Sequence, residues 1–297
     1  MHEDQIGIDA GRVAALIRRQ FPQFRDAEIA PLTTPATTNA IFRIGATHAA
    51  RLPLRGMDAR DCRRLLEAEA RAIAAFHAHC PFPSPIPIGI GRPGPGFPLP
   101  WTVQTWIEGL VATPNGQSAN ADFALDLVHL IRALRALDLN GLEFDGKGRG
   151  GNLPDHDAWM DQCFSKSGRL LDVARLRAMW VKMRVLPGLG YAVMSHRDLI
   201  PANLLVAGGR LVGVLDAGAF GPADPALDLV ASWHLLNSDR RALFRNALGV
   251  SELEWRRGAA WAFEQAMGLV WYYAQTNPVM SALGRTTLAR LVEADDI

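Results

Sequence analysis

Two short apolar runs, Leu204-Leu205-Val206 and Leu211-Val212-Gly213-Val214-Leu215, stand either side of Gly208-Gly209, the pattern of a hairpin turning on a glycine pair. Asn203 and Asp216 bracket the hairpin, so folding it brings them within a residue or two of cross-strand register. An Asn carbonyl beside a carboxylate makes an oxygen-only site suited to Mg²⁺. The preceding stretch, Ser195-His196-Arg197-Asp198-Leu199-Ile200-Pro201-Ala202-Asn203, places Asp198 on a loop a few residues before the first strand. A candidate base, Asp198, thus stands with two candidate metal ligands, Asn203 and Asp216, in the arrangement phosphoryl transfer needs. Its main contribution would be to position an acceptor hydroxyl, because a loose transition state needs little early deprotonation. The local alternative for Asp198 is an Asx-turn or cap.

Three motifs together, His196-x-Asp198-x-x-x-x-Asn203, Asp216-x-Gly218 and Asp224-Pro225-Ala226-Leu227-Asp228-Leu229, resemble the aminoglycoside phosphotransferase family, antibiotic kinases that share the protein-kinase fold. The resemblance implies an α+β, bilobal protein-kinase-like fold with a small β-rich N-lobe and a larger α-helical C-lobe. It also implies Mg²⁺-dependent transfer of a γ-phosphoryl group from ATP or GTP to a hydroxyl of an aminoglycoside or related antibiotic. The family usually has Gly where Arg197 stands, and protein kinases have Phe where Ala217 stands. Neither departure removes a metal-binding or proton-moving side chain, although Ala217 is too small to serve as the packing switch a Phe provides.

By the same resemblance, His196 braces the loop, a second acid or base being the alternative, and Asp228 anchors its backbone. A helix start at Asp224-Pro225 with a first-turn carboxylate explains Asp228 equally well. Arg51 stands where the fold commonly has a Lys on the α/β-phosphates, and a surface strand Arg is the alternative. Thr105 and Ile107 would read adenine through their backbones at a hinge, with Leu215 packing on the ring. Thr37, Thr38 and Asn39 form a glycine-free loop that would reach phosphate, or else a plain hairpin turn. Arg197 is either paired with an acid or solvated.

Strands come first and helices later, which by itself indicates an α+β chain. Asp9 caps a helix bearing Val13, Leu16 and Ile17, and Ala40–Gly45 with His48–Leu52 reads as a hairpin. A long helix over Ala59–His79, capped by Asp58, precedes a Pro/Gly-rich stretch with an edge strand at Ile86–Ile90 and a strand over Trp101–Ile107. Helices follow near 121–137, 156–164 and 172–185, then near 225–236, 239–248, 252–275 and 279–293. The division falls at Gly109, giving a nucleotide-binding lobe over 1–108 and a catalytic and substrate-binding lobe over 109–297.

On the long helix, Glu69 follows Leu65 by four residues and precedes Ile73 by four, so it shares the apolar stripe and wants a cationic partner, for which Arg51 is the candidate. Glu67, turned about 200° away, faces water. Glu264 and Trp271 lie in the aromatic-rich helix Trp261–Tyr273. A carboxylate among rings suits an amino-sugar or other cation, while an aromatic stripe is also an ordinary core pattern. Asp155, Asp157 and Asp161 add negative potential there, or simply begin a helix.

With 297 residues, 49% hydrophobic, the chain can bury a sizeable core. A net charge of +1 offers no general attraction for nucleic acid or anionic membranes. Cys62, Cys80 and Cys163 have no metal or redox spacing and read as plain thiols of a reducing compartment. No secretory signal follows the acidic Met1-His2-Glu3-Asp4 and no run of eighteen apolar residues occurs, so the protein is expected in the cytoplasm, as a monomer or homodimer. The expected partners are a nucleoside triphosphate and a small hydroxyl-bearing acceptor. Two alternatives remain open, a metabolic kinase acting on choline, a sugar, a fructosamine or an amino alcohol, and a non-catalytic nucleotide-binding module. A protein kinase is the less favoured reading, because the few residues between Gly218 and Asp224 are too short for an activation loop.

Overall fold

Apolar side chains at Phe42, Ile44, Ala50 and Leu52 are buried from neighbouring strands that run antiparallel, with Phe42 opposite Ala50 and Ile41 opposite Arg51. The computed structural model describes residues 6–32 and 39–297, and the chain divides into two units, residues 1–78 with 83–108 and residues 79–82 with 109–297. In the first unit α1 (Ala10–Gln20) leads to β1 (Ile29–Leu32), β2 (Asn39–Ile44), β3 (His48–Pro53), α2 (Ala59–His79), β4 (Pro87–Gly91) and β5 (Trp101–Thr105). The strands form one antiparallel sheet in the order β1-β2-β3-β5-β4. Val13, Leu16 and Ile17 of α1 join Phe42, Ile44, Leu52, Trp101 and Val103 in its core, each large side chain contributing about 1.5–3 kcal/mol by leaving water.

Two caps are those the sequence indicates. Asp9 accepts from the Arg12 N–H at 2.9 Å, and Asp58 Oδ1 accepts from the Arg60 and Asp61 N–H groups. β1 escapes sequence reading because Pro31 interrupts four residues of a strand at the sheet's edge. The apolar stripe of α2 runs through Cys62, Leu66, Ile73 and Phe76, whereas Leu65 is 54% exposed. Glu69 is half-buried beside that stripe, and Glu67 pairs with Arg63 across one exposed turn at 2.8 Å. β5 ends two residues before the expected Ile107. There Arg43 lies over the Trp106 ring at 4.3 Å and binds Glu108 at 2.5 Å, turning the chain out of the sheet.

The second unit begins with β6 (Leu110–Val111) and α3 (Ala121–Arg135), followed by α4 (Asp157–Ser167), α5 (Val173–Met183), β7 (Val193–Ser195), β8 (Leu204–Ala207), β9 (Arg210–Val214) and β10 (Gly221–Ala223). It closes with α6 (Val230–Leu235), α7 (Ser238–Leu248), α8 (Glu252–Tyr272) and α9 (Pro278–Val292). β8 and β9 form the expected hairpin, with Leu204 opposite Val214 and β6 on the outer side. Asp126 of α3 fixes its turn by accepting from Arg210 Nε at 2.8 Å and the Leu211 N–H at 3.0 Å. α8 is buried on all sides, as its apolar run and small residues require.

The helix expected over 225–236 is broken. Asp224 accepts from the Ala226 N–H in an Asx turn, a 3₁₀ turn covers Leu227–Leu229, and α6 starts only at Val230. Asp224 is held there by Arg257 of α8, a tertiary contact that local capping rules do not contain. All three cysteines are free thiols, and burial pushes Cys80 and Cys163 up to about 11. Among the described residues no helix is long and apolar enough to cross a membrane.

Candidate active site

β7 pairs with β10, setting Ser195 opposite Gly221 and delivering the chain into the His196–Asn203 segment. Asp228, buried in its 3₁₀ turn, accepts from the backbone N–H groups of both His196 and Arg197 at 2.9 Å. Its carboxylate therefore anchors the loop, and the first-turn reading gives way to that one. His196 is fully buried. Its Nδ1 accepts from the Asp198 N–H at 3.3 Å, which puts the ring proton on Nε2, donating to the Leu215 carbonyl at 2.9 Å. The histidine thus ties the loop to the far end of the hairpin. Arg197 adopts φ +73° and turns its guanidinium over the Phe144 ring at 5.7 Å. A left-handed backbone here is one that glycine adopts without strain.

The hairpin brings its flanking residues together as the spacing indicates. The Leu215 N–H bonds the Asn203 carbonyl at 2.8 Å, and Asp216 follows with φ +57°, exposed at the hairpin's end. Asn203 Nδ2 donates to the Asp198 carbonyl at 2.9 Å and to Asp198 Oδ2 at 3.0 Å. Committing the amide in this way points Asn203 Oδ1 away from Asp198. Among the described residues no three His, Cys, Asp or Glu side chains gather as a metal cluster. A carboxamide oxygen with one carboxylate nevertheless fits Mg²⁺, which completes its shell with water and phosphate oxygens.

Two further donors reach Asp198 Oδ1, and the sequence reading missed both. Arg149 places Nη1 and Nη2 each at 3.2 Å, and Gln265 Nε2 lies at 3.3 Å. Arg149 sits in Gly146-Lys147-Gly148-Arg149-Gly150-Gly151, and a lone guanidinium framed by glycines was the available signal. Gln265 is the immediate neighbour of Glu264, the residue the sequence reading selected.

Behind Gln265 the network continues inward. Gln265 Nε2 is spent on Asp198, so its Oε1 accepts from His234 Nε2 at 2.9 Å, while His234 Nδ1 accepts from the Thr287 hydroxyl at 2.8 Å. His234 is fully buried, and that burial pushes its pKa down from 6.5 to about 4. Below pH 6.5 the unfolded chain takes up a proton that the folded chain refuses, so stability present above that pH is lost as pH falls toward 4. From pH 6.5 to about pH 5 this one residue should cost about 2 kcal/mol. In urea titrations His234→Asn should flatten the acid limb by that amount; an unchanged slope counts against the assignment.

The remaining candidates are placed as follows. Arg51 on β3 and Glu69 on α2 line one small cavity of the first unit with Ile73 and Thr102. Thr105 ends β5, its N–H given to the Ile86 carbonyl at 3.0 Å and its hydroxyl accepting from the Ile86 N–H at 2.8 Å. The backbone of Ile107 makes no hydrogen bond among the described residues. Leu215 is half-buried. Thr37 and Thr38 lie outside the described residues, and Asn39 opens β2 opposite Pro53.

Glu264 is only 5% exposed and accepts from His156 Nδ1 at 3.0 Å, a bond that draws the His156 pKa upward. Trp271 is half-buried against Trp159, ring centroids 5.8 Å apart. The nearby acids are all engaged, Asp155 with Asn152, Asp157 with Arg184 and Trp180, and Asp161 with Arg177.

Among solved structures, the GDP complex of wild-type aminoglycoside 2'-phosphotransferase-IIIa superposes with a TM-score of 0.72 at 16% identity, covering 96% of this chain and 99% of that one. Macrolide 2'-phosphotransferase MphH from Brachybacterium faecium gives 0.61 at 18% identity, covering 97% and 99%. ADP-bound aminoglycoside phosphotransferase APH(2'')-Ib gives 0.58 at 15%, covering 94% and 98%. Likeness at such identities shows the fold, the kinase-like one with a β-rich first part and a helical second part. Comparison with curated proteins gives no match. A family model, APH, phosphotransferase enzyme family, matches residues 34–261, most of the chain and the whole His196–Asp228 constellation, and the protein belongs to that family.

Proposed function

We propose that the protein moves the γ-phosphoryl group of ATP or GTP to a hydroxyl of a small molecule, in the first instance an aminoglycoside or related antibiotic, in the cytoplasm. The observation that carries this reading is Asp198 held by Asn203 at 3.0 Å, with Asn203 Oδ1 turned away from it and Asp216 one residue beyond the hairpin bond. In this reading Asp198 orients the acceptor hydroxyl and receives its proton as the new P–O bond forms and the bond to the bridging oxygen breaks. Asn203 and Asp216 would hold Mg²⁺, which when bound offsets negative charge on the phosphates. Arg51, steadied by Glu69, would contact the α/β-phosphates. The carbonyl of Thr105 and the backbone of Ile107 would meet adenine, with Leu215 against its ring.

On the acceptor side Glu264 and Trp271 are the candidates. A second reading has one specific support. Glu264, Asp157 and Asp161 are each paired with a basic side chain within the unit, and Asp155 bonds the Asn152 amide, leaving less uncommitted negative charge for a polycation. A weakly charged acceptor, such as a sugar or a macrolide, fits that balance better. Purified protein with Mg²⁺, ATP or GTP and a panel of aminoglycosides, macrolides, sugars and amino alcohols should release nucleoside diphosphate and yield one phosphorylated acceptor. Folded protein that binds nucleotide yet turns over none of them would overturn the proposal.

A further inference from the structure

Among the described residues that bond the Asp198 carboxylate through their side chains, only Arg149 carries charge. The segment between Asp198 and Asn203 reads Leu199-Ile200-Pro201-Ala202 and offers no cation, while the adjacent Arg197 is turned over Phe144. Yet a transferring phosphoryl group spreads negative charge over three oxygens and needs a positive group close to the base. Arg149 arrives from a loop that shapes itself around it. Gly148 at φ +65° and Gly150 at φ +89° bend the backbone on either side, and a Cβ on Gly151 would run into the Gly146 carbonyl oxygen.

The contact itself has the form of a resting state. A guanidinium fork matches two oxygens, with charge-assisted bonds of about 2.7–2.9 Å. Here both nitrogens address the single Oδ1 at 3.2 Å, and the side chain remains 37% exposed. A phosphoryl group would satisfy the fork better than Asp198 does.

We propose that Arg149 is a catalytic arginine, resting on Asp198 and passing to the equatorial oxygens of the transferring phosphoryl group; this rests on the phosphotransfer reading above. As the acceptor oxygen bonds the γ-phosphorus, the bond to the bridging oxygen breaks and its electron pair leaves with the nucleoside diphosphate. The hydroxyl proton goes to the Asp198 oxygen that Arg149 has vacated. Arg149 meanwhile takes up the charge of the equatorial oxygens.

The test is calorimetry on the full chain with Mg²⁺ and nucleoside diphosphate, alone and with aluminium fluoride as a mimic of the flying phosphoryl group. Arg149→Met should lose about 100-fold of the affinity gained on adding aluminium fluoride, with binding of the diphosphate itself changed by no more than about threefold. Arg149→Lys should recover part of the gain, and added guanidinium should restore part of it to Arg149→Met. A Met variant that keeps the full gain removes Arg149 from the chemistry, and so does a diphosphate affinity that falls in parallel. If the parent protein binds no diphosphate, or gains nothing from aluminium fluoride, the phosphotransfer reading fails first and the role of Arg149 falls with it.

Discussion

Arg257→Met is expected to destabilise the second unit by about 3–5 kcal/mol. Arg257 is 1% exposed and distributes its donors over Asp224 Oδ2, the Leu186 and Pro187 carbonyls at 3.2 and 3.0 Å, and the Gly151 carbonyl at 3.0 Å. Burial pushes the Asp224 carboxyl up while the guanidinium draws it down, so removing the cation strands a carboxylate in a site that cannot hydrate it. Methionine fills much of the same volume, so a cavity does not explain the loss. Lysine would rescue little, since one ammonium cannot reach acceptors set out for a planar fork. Urea unfolding measures the effect. Adding Asp224→Asn to Arg257→Met should return part of the loss, and a midpoint shift worth under about 1 kcal/mol for the single variant would show that the network is ornamental.

Asp198→Asn is expected to lower turnover by roughly 10³- to 10⁴-fold while nucleotide affinity holds within a few-fold. The substitution keeps shape and an acceptor, but it puts an NH₂ group opposite either Asn203 Nδ2 or the donors of Arg149 and Gln265. That conflict should cost up to about 1 kcal/mol of stability, too little to unfold the chain. Single-turnover rates on whichever acceptor the panel identifies separate the chemical step from product release. Turnover within tenfold of the parent would show that Asp198 does not receive the proton.

What the sequence made legible is what short-range geometry decides. The glycine pair at 208–209 and the apolar runs beside it leave Asn203 and Asp216 one place to go, and the Leu215–Asn203 bond lies where that pairing requires. Helix starts at Asp9 and Asp58 follow from side chains that cap their own first turns. Arg149 and Gln265 were hidden because they meet Asp198 across 49 and 67 residues of chain, and no periodicity records such a meeting. On α8 the aromatic pattern drew the eye to Glu264, but one step along a helix rotates a side chain by about 100°. Glu264 turns to His156 and Gln265 to Asp198. The same one-position uncertainty put Leu65 in place of Leu66 on α2. β6, β7 and β10, of two or three residues each, are too short for alternation to register.

α8 carries Arg257 and Gln265 eight residues apart, about 12 Å along one rod. The first clamps three stretches of chain and the second steers the oxygen atoms of Asp198. A single girder therefore bears both architecture and aim, so drift in how it beds against α9 would blur the alignment at Asp198 well before the unit came apart.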